Sequence, residues 1–308
     1  MKSFDESLER LANELATPSA ARKKHRATPV IASSAERKQL SPNANAASQA
    51  AKQPRSGRGP ASVTAPAARA AEMVPAEKST MPPAGSAITE PGRVDPHLVC
   101  LLEPRSEHAE SYYRLRHVLE TRRGDDSALV VSVTSPGQGD GKTLTGINLA
   151  GALAKDSRTR VLLLDLDLRR RGDGLAECLG LKSSKDLGIV DWIRESGEGE
   201  EAFIHYLEPF NLHVMTAGSV PELPYELLKS SRLDDLIRRA RERYDFIIID
   251  TPQILRLPDT ELISRLVDGF LIVVKADQTR QVKLEEALNL MTEDKVLGLV
   301  FNAVGEIQ

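Results

Sequence analysis

Residues 128–154 restrict how this chain can fold more than any other segment. They begin with a short, mostly apolar and β-branched run at 129–133, which is typical of a buried strand. Three glycines then alternate with other residues (Gly137, Gly139 and Gly141), and Lys142 and Thr143 follow. A helical apolar pattern begins at once. This order of strand, glycine-rich loop, Lys-Thr pair and helix is that of a phosphate-binding loop.

The chemistry of phosphate binding explains these residue types. Backbone N–H groups must come within hydrogen-bonding distance of the phosphate oxygens, and side chains would block that approach. The following helix adds free N–H groups and the positive end of its dipole. Lys142 would reach the β- and γ-phosphates, and the Thr143 hydroxyl would contact Mg²⁺. Pro136 stands where the strict pattern has glycine, so the alternative is an ordinary glycine-rich turn.

Two acidic residues follow a second apolar run. Residues 161–164 are continuously apolar, as in a central parallel strand, and Asp165 and Asp167 come next. The carboxyl ends of strands in an open α/β sheet face the ligand crevice. Acids placed there can hold Mg²⁺ or its waters. The alternative, a loop with solvated charges, is disfavoured because acids at a buried strand end cost free energy without a cation.

A third apolar run, at 246–249, ends in Asp250. In phosphate-loop enzymes an acid at this place supports the Mg²⁺ shell. A strand that ends in an acid by chance is the alternative. Together with the two upstream segments, however, Asp250 completes a set of one lysine, one threonine and three acids.

The order of elements predicts the fold class. Strand and helix patterns alternate from residue 128 onward, which predicts an α/β fold with a parallel sheet flanked by helices on both faces. A helix is predicted at 107–122, and a short strand or extended segment at 97–102.

The first 95 residues differ from the rest. They hold 10 of the 18 prolines and carry 14 Lys and Arg against 9 Asp and Glu, a balance of +5, whereas the remainder carries 27 against 35, or −8. We therefore predict a short docking helix or a frayed leader at 1–16, a disordered, basic, Ala/Pro/Ser-rich linker at 17–95, and a folded domain at 96–308.

Three features of the sequence favour a cytoplasmic protein. No run of about 18 apolar residues is present. Acids occupy the N-terminal positions where a signal peptide has its apolar core. The two cysteines, Cys100 and Cys178, show no metal-binding spacing, which favours a reducing compartment.

Three segments together resemble one family. They are TSPGQGDGKT at 134–143, VLLLDLDLRR at 161–170 and YDFIIIDTP at 244–252. The resemblance covers about residues 96–308 and is to the cytoplasmic domain of bacterial tyrosine kinases of the CpsD/CapB type. That domain lies within the wider MinD/ParA-like group of P-loop ATPases. The resemblance implies ATP and Mg²⁺ as cofactors.

The resemblance also implies roles for individual residues. Those implied for catalysis are Lys142, Asp165, Asp167 and Asp250. Those implied for nucleotide binding are Gly137, Gly139, Asp140, Gly141, Lys142, Thr143, Leu144 and Asn302. Those implied for the metal are Thr143, Asp165 and Asp250. Those implied for oligomerisation or partner contacts are Glu110, Arg114 and Arg116, on the predicted helix at 107–122.

The function implied is transfer of phosphate from ATP to a protein tyrosine during capsule or exopolysaccharide assembly. The implied partner is an integral-membrane polysaccharide chain-length (co-polymerase) protein, which would bring a homo-oligomer of this chain to the inner face of the membrane. The family's C-terminal tyrosine cluster has no counterpart after Tyr244, so Tyr112 or Tyr113 is the acceptor expected in any self-phosphorylation.

Two alternatives stay open. The first is an ATPase switch that gates the polysaccharide machinery by nucleotide-dependent association, without phosphotransfer to protein. The second is a ParA/MinD-like positioning ATPase. Gly137 stands where those relatives carry their signature lysine, and the folded part is acidic, so no nucleic-acid partner is expected.

Overall fold

A computed structural model describes residues 28–33, 85–86, 94–124, 127–169, 174–181, 187–195, 199–254 and 259–304. The predicted helix at 1–16 and most of the linker at 17–95 lie outside the described residues. The proposed division of the chain into three parts therefore stays a prediction.

Nine strands form a single sheet in the order β1-β9-β8-β3-β7-β4-β6-β5-β2. Their bounds are β1 Thr28–Ser33, β2 Gly85–Ser86, β3 Leu129–Thr134, β4 Val161–Asp165, β5 His205–Leu207, β6 Leu212–Met215, β7 Phe246–Asp250, β8 Gly269–Lys275 and β9 Val296–Val304. The six adjacent strands from β9 to β6 pair in parallel. Antiparallel pairing occurs towards the edges, between β5 and β6 and between β1 and β9.

The helices connect these strands. Their bounds are α1 Val99–Leu102, α2 Glu107–Arg122, α3 Lys142–Leu153, α4 Gly174–Cys178, α5 Ile189–Arg194, α6 Pro224–Leu228, α7 Ser231–Arg243, α8 Asp259–Ser264 and α9 Gln281–Asn289. Among the described helices, none has both the length and the apolar character that crossing a bilayer requires.

The central strands are buried on both faces. Alternate residues of a strand point to opposite sides of the sheet. Leu163 and Ile248 accordingly share one core cluster with Ile147 of α3, whereas Leu164 packs in a second cluster with Leu236 of α7. Helices thus cover both faces, and the predicted α/β fold with a mostly parallel sheet is confirmed.

The prediction of a strand or extended segment at 97–102 is wrong, because Val99–Leu102 forms helix α1. Its buried side chains pack on α3, where Gly151 allows a close approach: a Cβ on that glycine would lie 2.5 Å from Leu101. The Cys100 N–H donates to Asn148 Oδ1 of α3 at 2.9 Å. Contacts with α3, which local sequence does not reveal, therefore decide the conformation of this segment.

A close backbone contact fixes the segment after β6. The N–H groups of Ile189 and Val190 donate to the carbonyls of Thr216 and Ala217, at 2.9 and 3.1 Å. A Cβ on Gly188 would lie 2.4 Å from both Gly218 N and Thr216 O. A side chain at position 188 would therefore separate α5 from the end of β6.

Replacing Gly188 by alanine should destabilise the protein by roughly 2–4 kcal/mol, since the added methyl group overlaps backbone atoms. The matched control is Gly146→Ala in α3, where the nearest atoms would be Val133 side-chain carbons at 3.8 Å. That change should be neutral or stabilising by up to about 1 kcal/mol, because alanine favours helix. Urea unfolding of both variants tests the contact, and equal stabilities would contradict it.

Candidate active site

The phosphate-loop strand and the two acidic strands end side by side. In the parallel register Val133 of β3 lies beside Asp250 of β7, and Asp250 lies beside Asp165 of β4. The carboxyl ends of these strands therefore share one edge of the sheet. The glycine-rich loop, residues 135–141, leaves β3 at this same edge and leads into α3.

Glycine is required at two positions of this loop. Gly139 and Gly141 have φ angles of +82° and +96°, in the left-handed region that side chains disfavour. A Cβ on Gly141 would also lie 2.0 Å from Asn302 Nδ2. Within the loop, the Gly137 N–H donates to Asp140 Oδ2 at 2.8 Å.

Strand β9 and the turn after β8 each provide a side chain that hydrogen-bonds to the loop. Asn302 Nδ2 donates to the Asp140 carbonyl at 2.9 Å, and its Oδ1 accepts the Ala303 N–H at 3.0 Å. Thr279 Oγ1 donates to Asp140 Oδ1 at 3.0 Å. The Asn302 amide thus supports the loop, and its implied contact with nucleotide stays a prediction. The role of Thr279 was missed, because no motif in the sequence indicates it.

Lys142, Thr143 and the three acids lie together, as the sequence predicted. Lys142 Nζ is 2.6 Å from Asp167 Oδ2 and 3.5 Å from Asp250 Oδ1. Thr143 Oγ1 donates to Asp250 Oδ2 at 2.7 Å. The Asp167 N–H donates to Asp165 Oδ1 at 3.0 Å, which orients that carboxylate. Leu144 instead packs against the core, and its implied nucleotide contact stays a prediction.

Burial dominates the electrostatics of the cluster. It raises the pKa of Asp165 to about 7, with a further contribution from the nearby Asp250 charge. Burial also raises the pKa of Asp250, against the opposing effects of Lys142 and of the Thr143 hydrogen bond. Burial alone would lower the pKa of Lys142, but the charges of Asp250 and Asp167 raise it overall. Burial therefore disfavours the ionised forms of Asp165 and Asp250 in the absence of a bound cation.

An ion pair that the sequence did not predict fixes the segment after the acids. Arg169 Nε and Nη2 donate to the two carboxylate oxygens of Asp259, at 2.6 and 2.9 Å. Asp259 is 2% exposed and begins α8. The pair therefore joins the chain that follows Asp167 to the element that follows β7. A regular strand-end pattern does not indicate such a contact between a loop and the start of a helix.

The residues implied for partner contacts lie on α2. Glu110 and Arg114 are exposed. Arg116 is half-buried and makes contacts within the chain, because Nη1 donates to the Ala152 carbonyl at 3.0 Å and Nε to Glu120 at 2.6 Å. The partner roles of these residues stay predictions.

Comparisons with known proteins agree with this geometry. The family model described as an AAA domain matches residues 128–293. Tyrosine-protein kinase YwqD of Bacillus subtilis (strain 168) is 30% identical over 213 residues, which cover 68% of this chain and 87% of the relative. The chain belongs to the bacterial tyrosine-protein kinase family.

Solved structures of this kinase family share the fold. The kinase domain of VpsO aligns with a TM-score of 0.56 at 29% identity, covering 68% of this chain and 94% of that one. The chimerical protein CapA2B2 aligns with a TM-score of 0.62 over 73% of this chain and 95% of that one. At 24% identity the second likeness shows the fold alone.

The substitution Asp165→Asn should raise the free energy of unfolding of the nucleotide-free protein at pH 8. This gain in stability should disappear towards pH 4. The folded-state pKa of Asp165, about 7, lies above its unfolded value, so ionisation of this carboxyl group destabilises the fold, and wild-type stability falls as pH rises from the unfolded pKa to the folded one. The gain at pH 8 is at most about 4 kcal/mol. Asparagine keeps the oxygen that accepts the Asp167 N–H.

Thermal unfolding at several pH values measures this effect. Glu222→Gln, a change at an exposed acid, serves as the control and should leave the pH dependence unchanged. Identical pH profiles for wild type and Asp165→Asn would show that Asp165 is not a buried acid.

Proposed function

We propose that this chain binds ATP with Mg²⁺ and transfers the γ-phosphoryl group to a tyrosine of a protein. The proposal rests on one observation. Lys142, Thr143 and three aspartates form a cluster at the edge of the sheet where the glycine-rich loop leads into α3. The kinase names of relatives such as YwqD support transfer to tyrosine.

Each part of the cluster has a distinct task in this proposal. The loop N–H groups and the start of α3 bind phosphate oxygens. Lys142 leaves Asp167 and binds the β- and γ-phosphates, whose charge resembles that of the carboxylate it releases. Asp165 accepts the proton of the tyrosine hydroxyl while the tyrosine oxygen forms its bond to the γ-phosphorus. The bond from that phosphorus to the bridging oxygen breaks, and ADP leaves.

The oxygen atoms of the cluster fit Mg²⁺. Thr143 Oγ1 and the carboxylates of Asp165 and Asp250 are hard ligands, and burial raises the pKa of both acids, so a bound cation would stabilise their ionised forms. No group of three or more His, Cys, Asp or Glu in the described ranges could enclose a metal alone. Mg²⁺ commonly takes one or two carboxylates plus phosphates and water. When bound, it would neutralise charge on the transferring phosphoryl group.

The cellular setting proposed follows the family resemblance. A membrane-embedded polysaccharide chain-length protein would recruit the chain to the inner face of the plasma membrane, where copies associate during capsule or exopolysaccharide assembly. Glu110 and Arg114 support this proposal because they are exposed on α2 and available for contact with another molecule.

One observation favours the ATPase switch as a second candidate. Tyr112, an acceptor expected in self-phosphorylation, is 4% exposed. The Tyr113 hydroxyl donates to the Pro104 carbonyl at 2.9 Å. Transfer to Tyr112 therefore requires its side chain to leave the core, and transfer to Tyr113 requires this hydrogen bond to break. Hydrolysis of ATP requires neither change.

Incubation with Mg²⁺ and ATP should add whole phosphate units to tyrosine, detected by intact mass and peptide mapping. Asp165→Asn should abolish the gain, because it removes the proton acceptor. Free phosphate is measured in the same samples. Release without a mass gain, lost in Asp165→Asn, would contradict the kinase and support the switch. The absence of both reactions would contradict both candidates.

Lys142→Ala should weaken ATP binding about 10- to 100-fold, since hydrogen bonds to charged groups contribute about 1.5–3 kcal/mol. Calorimetric titration with ATP measures this loss. Lys155→Ala, at an exposed lysine just beyond α3, is the matched control and should bind as wild type. Equal affinities for the two variants would contradict the assignment of Lys142 to phosphate. Circular dichroism verifies that both variants are folded.

A further inference from the structure

The hydroxyl of Thr216 is an unpaired polar group near the acidic cluster. Thr216 follows β6 directly and is 3% exposed. Its Oγ1 is buried and has no hydrogen-bond partner within the described part of the chain. A buried hydroxyl without a hydrogen-bond partner destabilises a folded protein, so a role other than stability is expected for it.

The packing of its neighbours shows which way Thr216 points. Met215 and Ala217, on either side, both pack against the core cluster on the α7 face of the sheet. Val214 packs in the other cluster, together with α3. Because side chains alternate along an extended chain, Thr216 lies on the α3 face with Val214. Asp165 follows the same alternation from Leu163 and lies on this face too.

The sheet register makes Thr216 a neighbour of Asp165. Leu163 pairs with Val214 and Leu164 with Met215, so Asp165 and Thr216 are the next positions on adjoining parallel strands. Such strands lie about 4.8 Å apart. At this spacing, a change of the Thr216 χ1 rotamer would turn its hydroxyl towards the Asp165 carboxylate. Oδ1 of that carboxylate already accepts the Asp167 N–H, which leaves Oδ2 for another donor.

Hydrogen bonds hold the backbone at Thr216 in place. Its carbonyl accepts the Ile189 N–H at 2.9 Å. Asp191 Oδ2 accepts the N–H groups of Gly188 and Ser219, both at 3.0 Å, and so ties α5 to the turn after β6. A hydroxyl on a fixed backbone next to a carboxylate is suited to orienting that carboxylate.

We infer that Thr216 is a positioning residue on the acceptor side of the site. With nucleotide bound, its Oγ1 donates to Asp165 and fixes the direction in which this carboxylate faces the attacking hydroxyl, from water or from a tyrosine. The order of the strands supports this placement. Strand β6 lies next to β4, on the side away from β3 and its phosphate loop, whereas Asn302 lies on β9, on the other side of that loop. The inference rests on the proposed function.

Two substitutions in the chain of 308 residues separate this role from a structural one. Thr216→Val keeps the shape and removes the hydroxyl, and Thr216→Ser keeps the hydroxyl. Without nucleotide, Thr216→Val should melt at the wild-type temperature or higher, since it removes an unpaired buried group. The Mg²⁺ concentration at which Thr216→Val reaches half-maximal ADP binding should be about tenfold above that of wild type. Partners that support a metal-site carboxylate typically contribute a factor of this size to metal affinity.

Turnover should show the matching loss. At saturating Mg²⁺, the kcat of Thr216→Val should fall about 10- to 100-fold, with the KM for ATP within about twofold of wild type, because positioning of Asp165 then acts on the reaction rather than on nucleotide binding. Thr216→Ser should recover kcat to within about threefold. Phosphate release and phosphorylation of a tyrosine-containing peptide are measured separately, and they distinguish water from a phenol as the acceptor.

Three results would overturn the inference. Thr216→Val could melt well below wild type without nucleotide, which would show that the hydroxyl is paired in the folded protein. It could match wild type in both Mg²⁺ dependence and kcat. Or Thr216→Ser could fail to recover activity. A wild-type protein that neither binds ADP nor consumes ATP would instead refute the proposed function itself, and this is measured first.

Discussion

The burial of two aspartates at adjoining strand ends is the constraint on which the site depends. Asp165 is 5% exposed and Asp250 is 1% exposed. A buried carboxylate is stable only when paired or hydrogen-bonded. Lys142, the Thr143 hydroxyl and the Asp167 N–H supply those contacts. The residues that would bind nucleotide therefore also stabilise these buried acids when no nucleotide is bound.

Parallel strands explain how residues from distant parts of the sequence meet. The carboxyl ends of β3, β7 and β4 lie at one edge in consecutive order, so each adds its following residues to the same place. Asn302 of β9 and Thr279, in the turn after β8, then hold the loop through Asp140. The site is therefore a product of strand order rather than of any single segment.

The sequence was most informative where the sheet is buried on both faces. Strands β4 and β7 appear as continuous apolar runs that end in acids, and the acids mark the functional edge directly. Contacts between residues that follow different strands, such as Arg169 with Asp259, leave no periodic signal in the sequence. The prediction of a strand or extended segment at 97–102 was wrong for a related reason, since a short apolar run does not distinguish a strand from a buried helical turn.

The position of Lys142 couples two binding events in the proposed function. The lysine lies 2.6 Å from Asp167 and 3.5 Å from Asp250. Phosphate would draw it away from Asp167 and leave the acids with less compensating charge. A divalent cation would restore that charge, and the same cation binds phosphate oxygens. Nucleotide and cation should therefore each bind more tightly in the presence of the other, because one lysine cannot neutralise both the acids and the phosphates.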